Sequence, residues 1–265
     1  MYQTKYHKPA SVDDAIAALN GAEDGKFLSG GQTLLATMKQ RLAAPTDLVD
    51  LRGIPDMVGI SVDGDTVTIG AATTHAEVAA NPDLAAAIPA LAGLAVLIGD
   101  PAVRHMGTIG GSLANNDPAA DYPAAVMGLN GTIITNQREL PAEEYFQGLF
   151  TTALEEDEVI TAIRFPKPRR ASYQKFPNPA SRFALVGVMV ADTADGPRVA
   201  VTGAGSDGVF RAEALEQALS GDFSAGALDG VTVEADALMG DIHATPEYRA
   251  HLIKVLAKRG VEAAN

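Results

Sequence analysis

The segment KFLSGGQTLLATMKQRL, residues 26–42, changes its hydrophobic pattern halfway along. It begins as a short apolar run, passes through two adjacent glycines, and ends with Leu34, Leu35, Met38 and Leu42 at helical spacing. A strand, a tight turn and a helix satisfy that pattern, so the surrounding architecture must be layered and must contain both element types. The flanking sequence extends the alternation. SVDD at 11–14 has the form of a helix-start box with Ser11 as cap, and the helix runs to Asn20, where an Asn-Gly pair stops it. DLVDL at 47–51 supplies a further strand. The first part of the chain therefore reads as strand, helix, strand, helix, strand.

The pattern then changes. DTVTIGAA (65–72) alternates as a half-buried strand does, and THAE (74–77) has the form of a second capping box. Residues 83–98 are apolar and mostly helical in spacing, and another apolar segment covers 122–129. NGTIITNQREL (130–140) reads as a hairpin, and DEVITAIRFP (157–166) as a strand closed by proline. PKPRR at 166–170 is the domain boundary. Beyond it, ASYQKF, FALVGVMVA and RVAVTGAG are strand candidates, and the chain finishes in helices, including TPEYRAHLIKVLAKRG with Thr245 as cap and Pro246 in the first turn.

At 265 residues the chain is long enough for two domains. Its net charge of −13 repels a phosphate backbone, which argues against nucleic acid as a partner. It has no cysteine, so disulfides, thiolate zinc sites and cysteine-ligated iron–sulfur clusters are excluded within it. The start lacks a signal-like apolar region and no apolar run reaches spanning length, so the expected location is cytoplasmic.

Two segments carry candidate chemistry. In SGGQT (29–33) the glycines can turn backbone N–H groups inward as an anion nest, with Gln32 and Thr33 adding side-chain hydrogen bonds. A purely structural tight turn is the plain alternative. GTIGGSLANNDPAAD (107–121) reads as a second glycine-rich polar loop: Gly107, Gly110 and Gly111 permit close approach, and Thr108, Ser112, Asn115, Asn116, Asp117 and Asp121 are short hydrogen-bonding groups. A solvated turn is its alternative. Together the two favour a bulky phosphate-bearing ligand held between subdomains. A rival is the GxGxxG spacing of Gly203, Gly205 and Gly208, with Glu234 as the ribose acid. Too little chain remains after it to build a doubly wound sheet. The five histidines lack metal-ligand spacing, GGSLA is not a nucleophile elbow, and His105 is the one histidine placed to reach a ligand.

FLSGGQTLL (27–35) together with GTIGGSLANNDPAADYPA (107–124) resembles the FAD-binding medium subunit of the xanthine dehydrogenase and aerobic carbon monoxide dehydrogenase family, the molybdenum hydroxylases. DLVDL, TIGAATTHAEV and DEVITAIRFP fit as well, so the resemblance covers nearly the whole chain. It implies an α+β fold. An FAD domain of the vanillyl-alcohol-oxidase type would span 1–166, in subdomains of about 1–54 and 55–166. A C-terminal domain of the carbon monoxide dehydrogenase flavoprotein type, with a three-stranded antiparallel sheet and helices, would span 171–265.

The resemblance also implies that the FAD pyrophosphate rests on residues 28–35: Leu28, Ser29, Gly30, Gly31, Gln32, Thr33, Leu34 and Leu35. Thr108, Ile109, Gly110 and Gly111 would form a second cradle, Asn115 and Asp117 would line it, and Asp121 would bond the adenosine half. Ile160 and Lys175 match positions that touch the cofactor. Phe183 stands where some relatives carry a tyrosine near the flavin, so an aromatic contact survives without its hydroxyl. With no cysteine, the chain would be one of three subunits, joined to a [2Fe–2S] small subunit and a molybdopterin large subunit as a dimer of heterotrimers. It would pass electrons through FAD to an external acceptor, with no catalytic acid or base and no metal of its own. A self-sufficient FAD oxidoreductase, with His105 as base, is the alternative. A non-enzymatic scaffold with degenerate loops is a third reading, which the intact glycines disfavour.

Overall fold

A computed structural model describes residues 1–264; Asn265, the last residue of the expected C-terminal domain, lies outside the described residues. The first layer contains β1 (Lys5–His7), α1 (Val12–Asn20), β2 (Gly25–Leu28), α2 (Leu34–Lys39) and β3 (Asp47–Asp50), the strands pairing in parallel in the order β1-β3-β2. Ser11 caps α1 as expected, its hydroxyl accepting from Asp14 N at 3.1 Å. Helix α2 is shorter than its apolar spacing suggested. It ends at Lys39, Arg41 turns the backbone with φ 62°, and Leu42 is 76% exposed.

A second layer follows: β4 (Ile60–Asp63), β5 (Thr66–Gly70), α3 (His75–Ala80), α4 (Pro82–Ala87), α5 (Pro89–Val96), α6 (Pro101–Arg104), α7 (Ile109–Asn115), α8 (Tyr122–Gly128), β6 (Thr132–Thr135), β7 (Glu139–Pro141), α9 (Ala142–Tyr145), β8 (Phe146–Gly148), β9 (Thr151–Thr152) and β10 (Ile160–Pro166). Its antiparallel sheet runs β4-β5-β10-β6-β7. The expected capping box at the head of α3 is present in both directions: Glu77 N donates to Thr74 Oγ1, and Thr74 N donates to Glu77 Oε2. The apolar stretch 83–98 is two helices, because Pro89 can start a helix but cannot continue one.

The last layer is β11 (Arg170–Pro177), β12 (Ala184–Thr193), β13 (Gly196–Thr202), β14 (Phe210–Arg211), α10 (Glu213–Gly221) and α11 (Pro246–Ala263). Its antiparallel sheet has the three expected long strands and a fourth, β14, of two residues. The GxGxxG segment leaves an antiparallel strand and enters β14 rather than a helix, so it has no dinucleotide geometry. Gly203 is instead a packing residue: an added Cβ would lie 2.5 Å from Ala184 O, and Gly203 N donates to Pro118 O at 2.8 Å.

Helix α8 ties the layers together. Every one of its residues is buried, and it shares one apolar core with β5, β10 and the inner residues Met189 and Ala200 of the C-terminal sheet. Arg198 Nε donates to Met127 O in its last turn at 3.0 Å. Thr202 Oγ1 donates within reach of Pro118 O and Ala120 O just before it.

Glu158 fixes the start of β10. Its carboxylate accepts from Thr135 Oγ1 at 2.7 Å, from Arg138 Nε and Nη2 at 2.9 and 2.8 Å, and from Glu155 N at 3.0 Å. The Arg138 guanidinium chiefly holds its pKa down, at about 2. A depressed carboxylate stabilises the fold above its unfolded pKa, near 4.5, and loses that contribution as pH falls towards 2. Arg138 remains partly exposed, which screens the pair. Glu158→Gln should therefore cost about 1–3 kcal/mol in urea unfolding at pH 7, with the difference from the parent protein closing between pH 4.5 and pH 2.

Candidate functional site

The three layers meet at a cleft of about 1000 Å³. That is the upper end of the range for small-molecule sites and suits an extended ligand. One wall is the β2–α2 connection. There Gly31 adopts φ 69°, a left-handed conformation that glycine takes without strain. This turns the following backbone so that the N–H groups of Gly31, Gln32, Thr33 and Leu34 donate to no acceptor among the described residues. Successive N–H groups converging on a cleft form an anion-binding nest. Gly30 has a different task. A Cβ there would lie 2.2 Å from Met106 O and 2.5 Å from Gly107 Cα, so its missing side chain lets the two walls touch.

The opposite wall differs from the sequence expectation. Residues 109–115 are helix α7, not a loop, because Thr108 caps the segment by accepting from Gly111 N at 3.1 Å. Ile109 N donates to Thr73 O and Gly110 N to Ala71 O. In the expected second cradle the N–H groups of Ile109, Gly110 and Gly111 are thus already spent within the protein, while that of Thr108 has no acceptor among the described residues. Gly110 is the price of that packing, since a Cβ would stand 2.7 Å from Ala71 O. What this wall presents is hydroxyl and carboxylate chemistry. Thr108 Oγ1 and Ser29 Oγ lie 2.6 Å apart, joining the two walls by a hydrogen bond.

Asp121, at the head of α8, is buried. It accepts from Tyr173 Oη at 2.5 Å and from Lys175 Nζ at 2.8 Å, and Lys175 also donates to Leu97 O. Burial pushes the Asp121 carboxyl above its ordinary pKa, against the opposing pull of Lys175 and the two hydrogen bonds. The C-terminal sheet thus supplies a cation to the cleft from β11. The β11–β12 connection adds Ala180, Ser181, Arg182 and Phe183 to the lining, with Phe183 49% exposed.

Of the residues singled out in the sequence, Leu28, Ser29, Gly30, Gly31, Gln32, Thr33, Leu34, Thr108, Gly110, Gly111, Asn115, Asp117, Asp121, Ile160, Lys175 and Phe183 line this cleft together. Leu35 and Ile109 do not; Leu35 packs under the β2–α2 turn and Ile109 is fully buried in the main core. His105 is exposed at the end of α6, outside the lining. The histidine in the cleft is His75, which the sequence marks only as part of the THAE capping box and as one of five histidines without metal-ligand spacing. No cluster of potential metal ligands occurs among the described residues.

An open backbone nest, apolar walls and a buried lysine–carboxylate pair, set between an α/β layer and an antiparallel sheet, define a protein that holds a phosphate-bearing cofactor of dinucleotide size. Comparison with known proteins narrows the class. Residues 2–168 match the family model described as the FAD binding domain in molybdopterin dehydrogenase. The carbon monoxide dehydrogenase medium chain of Afipia carboxidovorans is 36% identical, over 98% of this chain and 96% of that one. The nicotine 6-hydroxylase medium subunit of Paenarthrobacter nicotinovorans is 34% identical, over 97% and 95%. Among solved structures, reconstituted CO dehydrogenase from Oligotropha carboxidovorans superposes with a TM-score of 0.90 at 35% identity, covering 99% of this chain and 98% of that one. The chain belongs to the family of FAD-binding medium subunits of molybdenum hydroxylases, and is an FAD-binding oxidoreductase component of the α+β type.

The fit to FAD stands on the geometry: the nest offers unspent donors to a pyrophosphate, and the apolar walls suit aromatic rings. Removing the Lys175 charge should leave Asp121 buried without its cation. Lys175→Met is expected to destabilise the protein by about 3–5 kcal/mol, and Asp121→Asn added to it should recover part of that loss; chemical denaturation of the two variants checks both.

Proposed function

We propose that this chain is the electron-transferring flavin subunit of a three-subunit molybdenum hydroxylase. Bound in the cleft, FAD would supply the redox chemistry that connects the [2Fe–2S] clusters of a small partner subunit with an external acceptor. A molybdopterin-containing large subunit would carry substrate oxidation, the whole forming a dimer of heterotrimers. Two facts support this division of labour: the chain has no cysteine with which to ligate a cluster, and its relatives are named as medium chains or subunits.

The carrying observation is the nest of unspent N–H groups at Gly31–Leu34, facing a wall that is joined to it through Ser29 and Thr108. In this reading the N–H groups would hold the pyrophosphate, Gly111 would leave room beside it, Asp121 would bond the adenosine half, and Lys175 would touch the cofactor. Ile160 and Phe183 shape the remainder of the cleft. Residues 1–166 would act as the FAD domain, with subdomains dividing near residue 54, and residues 171–265 as a second domain that closes one side. No side chain is required to move a proton. The self-sufficient reading loses its motivating residue, because His105 lies outside the cleft.

The test is reconstitution. The flavin-stripped chain should take up FAD at micromolar concentration and turn yellow; failure to do so overturns the reading. Gly111→Val places a branched side chain where even a Cβ would stand 2.9 Å from Thr108 Oγ1 and 3.3 Å from Ser29 Cβ. FAD content should fall at least about tenfold, as expected for losing one well-made set of contacts, while circular dichroism stays that of the parent.

A further inference from the structure

His75 is the first residue of α3, beside the head of the opposite wall, and its N–H donates to Gly107 O at 2.9 Å. Its side chain lines the cleft yet is only 5% exposed. The imidazole makes no hydrogen bond within the protein. Nδ1 is sealed among protein atoms without a partner; Nε2 also lacks one but is not sealed. The ring packs against Tyr122, 5.3 Å away between centroids and tilted by 48°. Its other edge lies against Gly107, where an added Cβ would come within 2.6 Å of Nε2.

A buried polar ring with no partner costs stability, and proteins fill such positions with apolar residues unless the polar atom has a use. Here the surroundings indicate the use. Gly107 is packed between Gly30, at the edge of the nest, and the Nε2 edge of His75. The one polar atom of the ring that is not sealed therefore lies across Gly107 from Gly30, the residue that precedes the nest. Burial, aided by Arg104, lowers the pKa of His75 to about 4, so at neutral pH the ring is an uncharged donor or acceptor.

We propose that His75 is a further cofactor-positioning residue, its Nε2–H donating a hydrogen bond to a pyrophosphate oxygen of the bound FAD. This rests on the flavin reading above and adds to it a side-chain donor on the wall where the N–H groups of Ile109, Gly110 and Gly111 are already spent. It also accounts for Gly107, since any side chain there would push the imidazole edge away from the cleft.

The experiment uses the flavin-stripped full chain with FAD, ADP and riboflavin as probes. His75→Leu should weaken FAD and ADP alike, by about tenfold to a hundredfold, the range for a hydrogen bond to a charged acceptor, and leave riboflavin binding unchanged. His75→Gln, which can present an N–H at a similar reach, should restore most of the ADP affinity. In nitrogen-15 spectra of the parent chain, with His75 assigned by its absence in His75→Gln, ADP should shift the His75 Nε2 resonance as a protonated, hydrogen-bonded nitrogen. That signal would not move for a merely structural histidine, and it serves as the deciding measurement if His75→Leu fails to fold. Unchanged ADP affinity in folded His75→Leu, loss confined to riboflavin, or an Nε2 signal indifferent to ADP each overturns the proposal. If the parent chain itself binds no FAD, the flavin reading fails first.

Discussion

Complete burial of the helix at residues 122–128 is the constraint on which the rest of the molecule depends. A helix with no solvent face can shift only by opening cavities, at a cost that grows with the volume left behind. Its two ends are held from the C-terminal sheet, by Tyr173 and Lys175 at Asp121 and by Arg198 at Met127 O. The segment leading into it is held by Thr202 and Gly203. The C-terminal sheet is therefore part of the cleft wall rather than an appendage. It fixes where residues 117–121 can lie, and so one side of the site.

The two walls solve the same problem with different chemistry. At Gly31 a left-handed residue precedes a short helix, and four consecutive N–H groups there have no acceptor among the described residues. At Thr108 the helix begins at once, and its first N–H groups are consumed by Thr73, Ala71 and Thr108 itself. One wall thus offers a preorganised positive concavity, and the other offers hydroxyls and a buried acid. Such a nest can hold an anion despite a net charge of −13, since fixed dipoles act over a few ångströms, while the dispersed surface charge is screened.

Much of this was legible in the sequence. The strand, helix, strand order of the first layer followed from the change of period around SGGQT, and the caps at Ser11, Thr74 and Thr245 from local chemistry. The three long strands of the last layer were evident as apolar runs. Local patterns failed where non-local contacts decide. Two glycines in GTIGGSLANND suggested a loop, but Gly110 is there so that a helix can pack onto Ala71, which no nearby residue announces. Leu42 kept helical spacing beyond the point where Arg41 had already turned the chain. The GxGxxG spacing at 203–208 matched a phosphate motif while serving as packing between antiparallel strands. His75 and His105 are alike as letters; only one has walls around it.

The sequence by itself determined most of the element types, the glycine positions at which walls can approach, the lack of cluster-ligating thiols, and the pair of motifs that marks the family. Those properties are local, or depend on residue identity alone. The tertiary structure decided which N–H groups stay unspent, that Asp121 meets Lys175 from another sheet, and that His75 rather than His105 reaches the cleft. Each of these is set by burial and by partners brought from distant parts of the chain, and hydrogen-bond satisfaction is a property of the packed molecule, not of any segment within it.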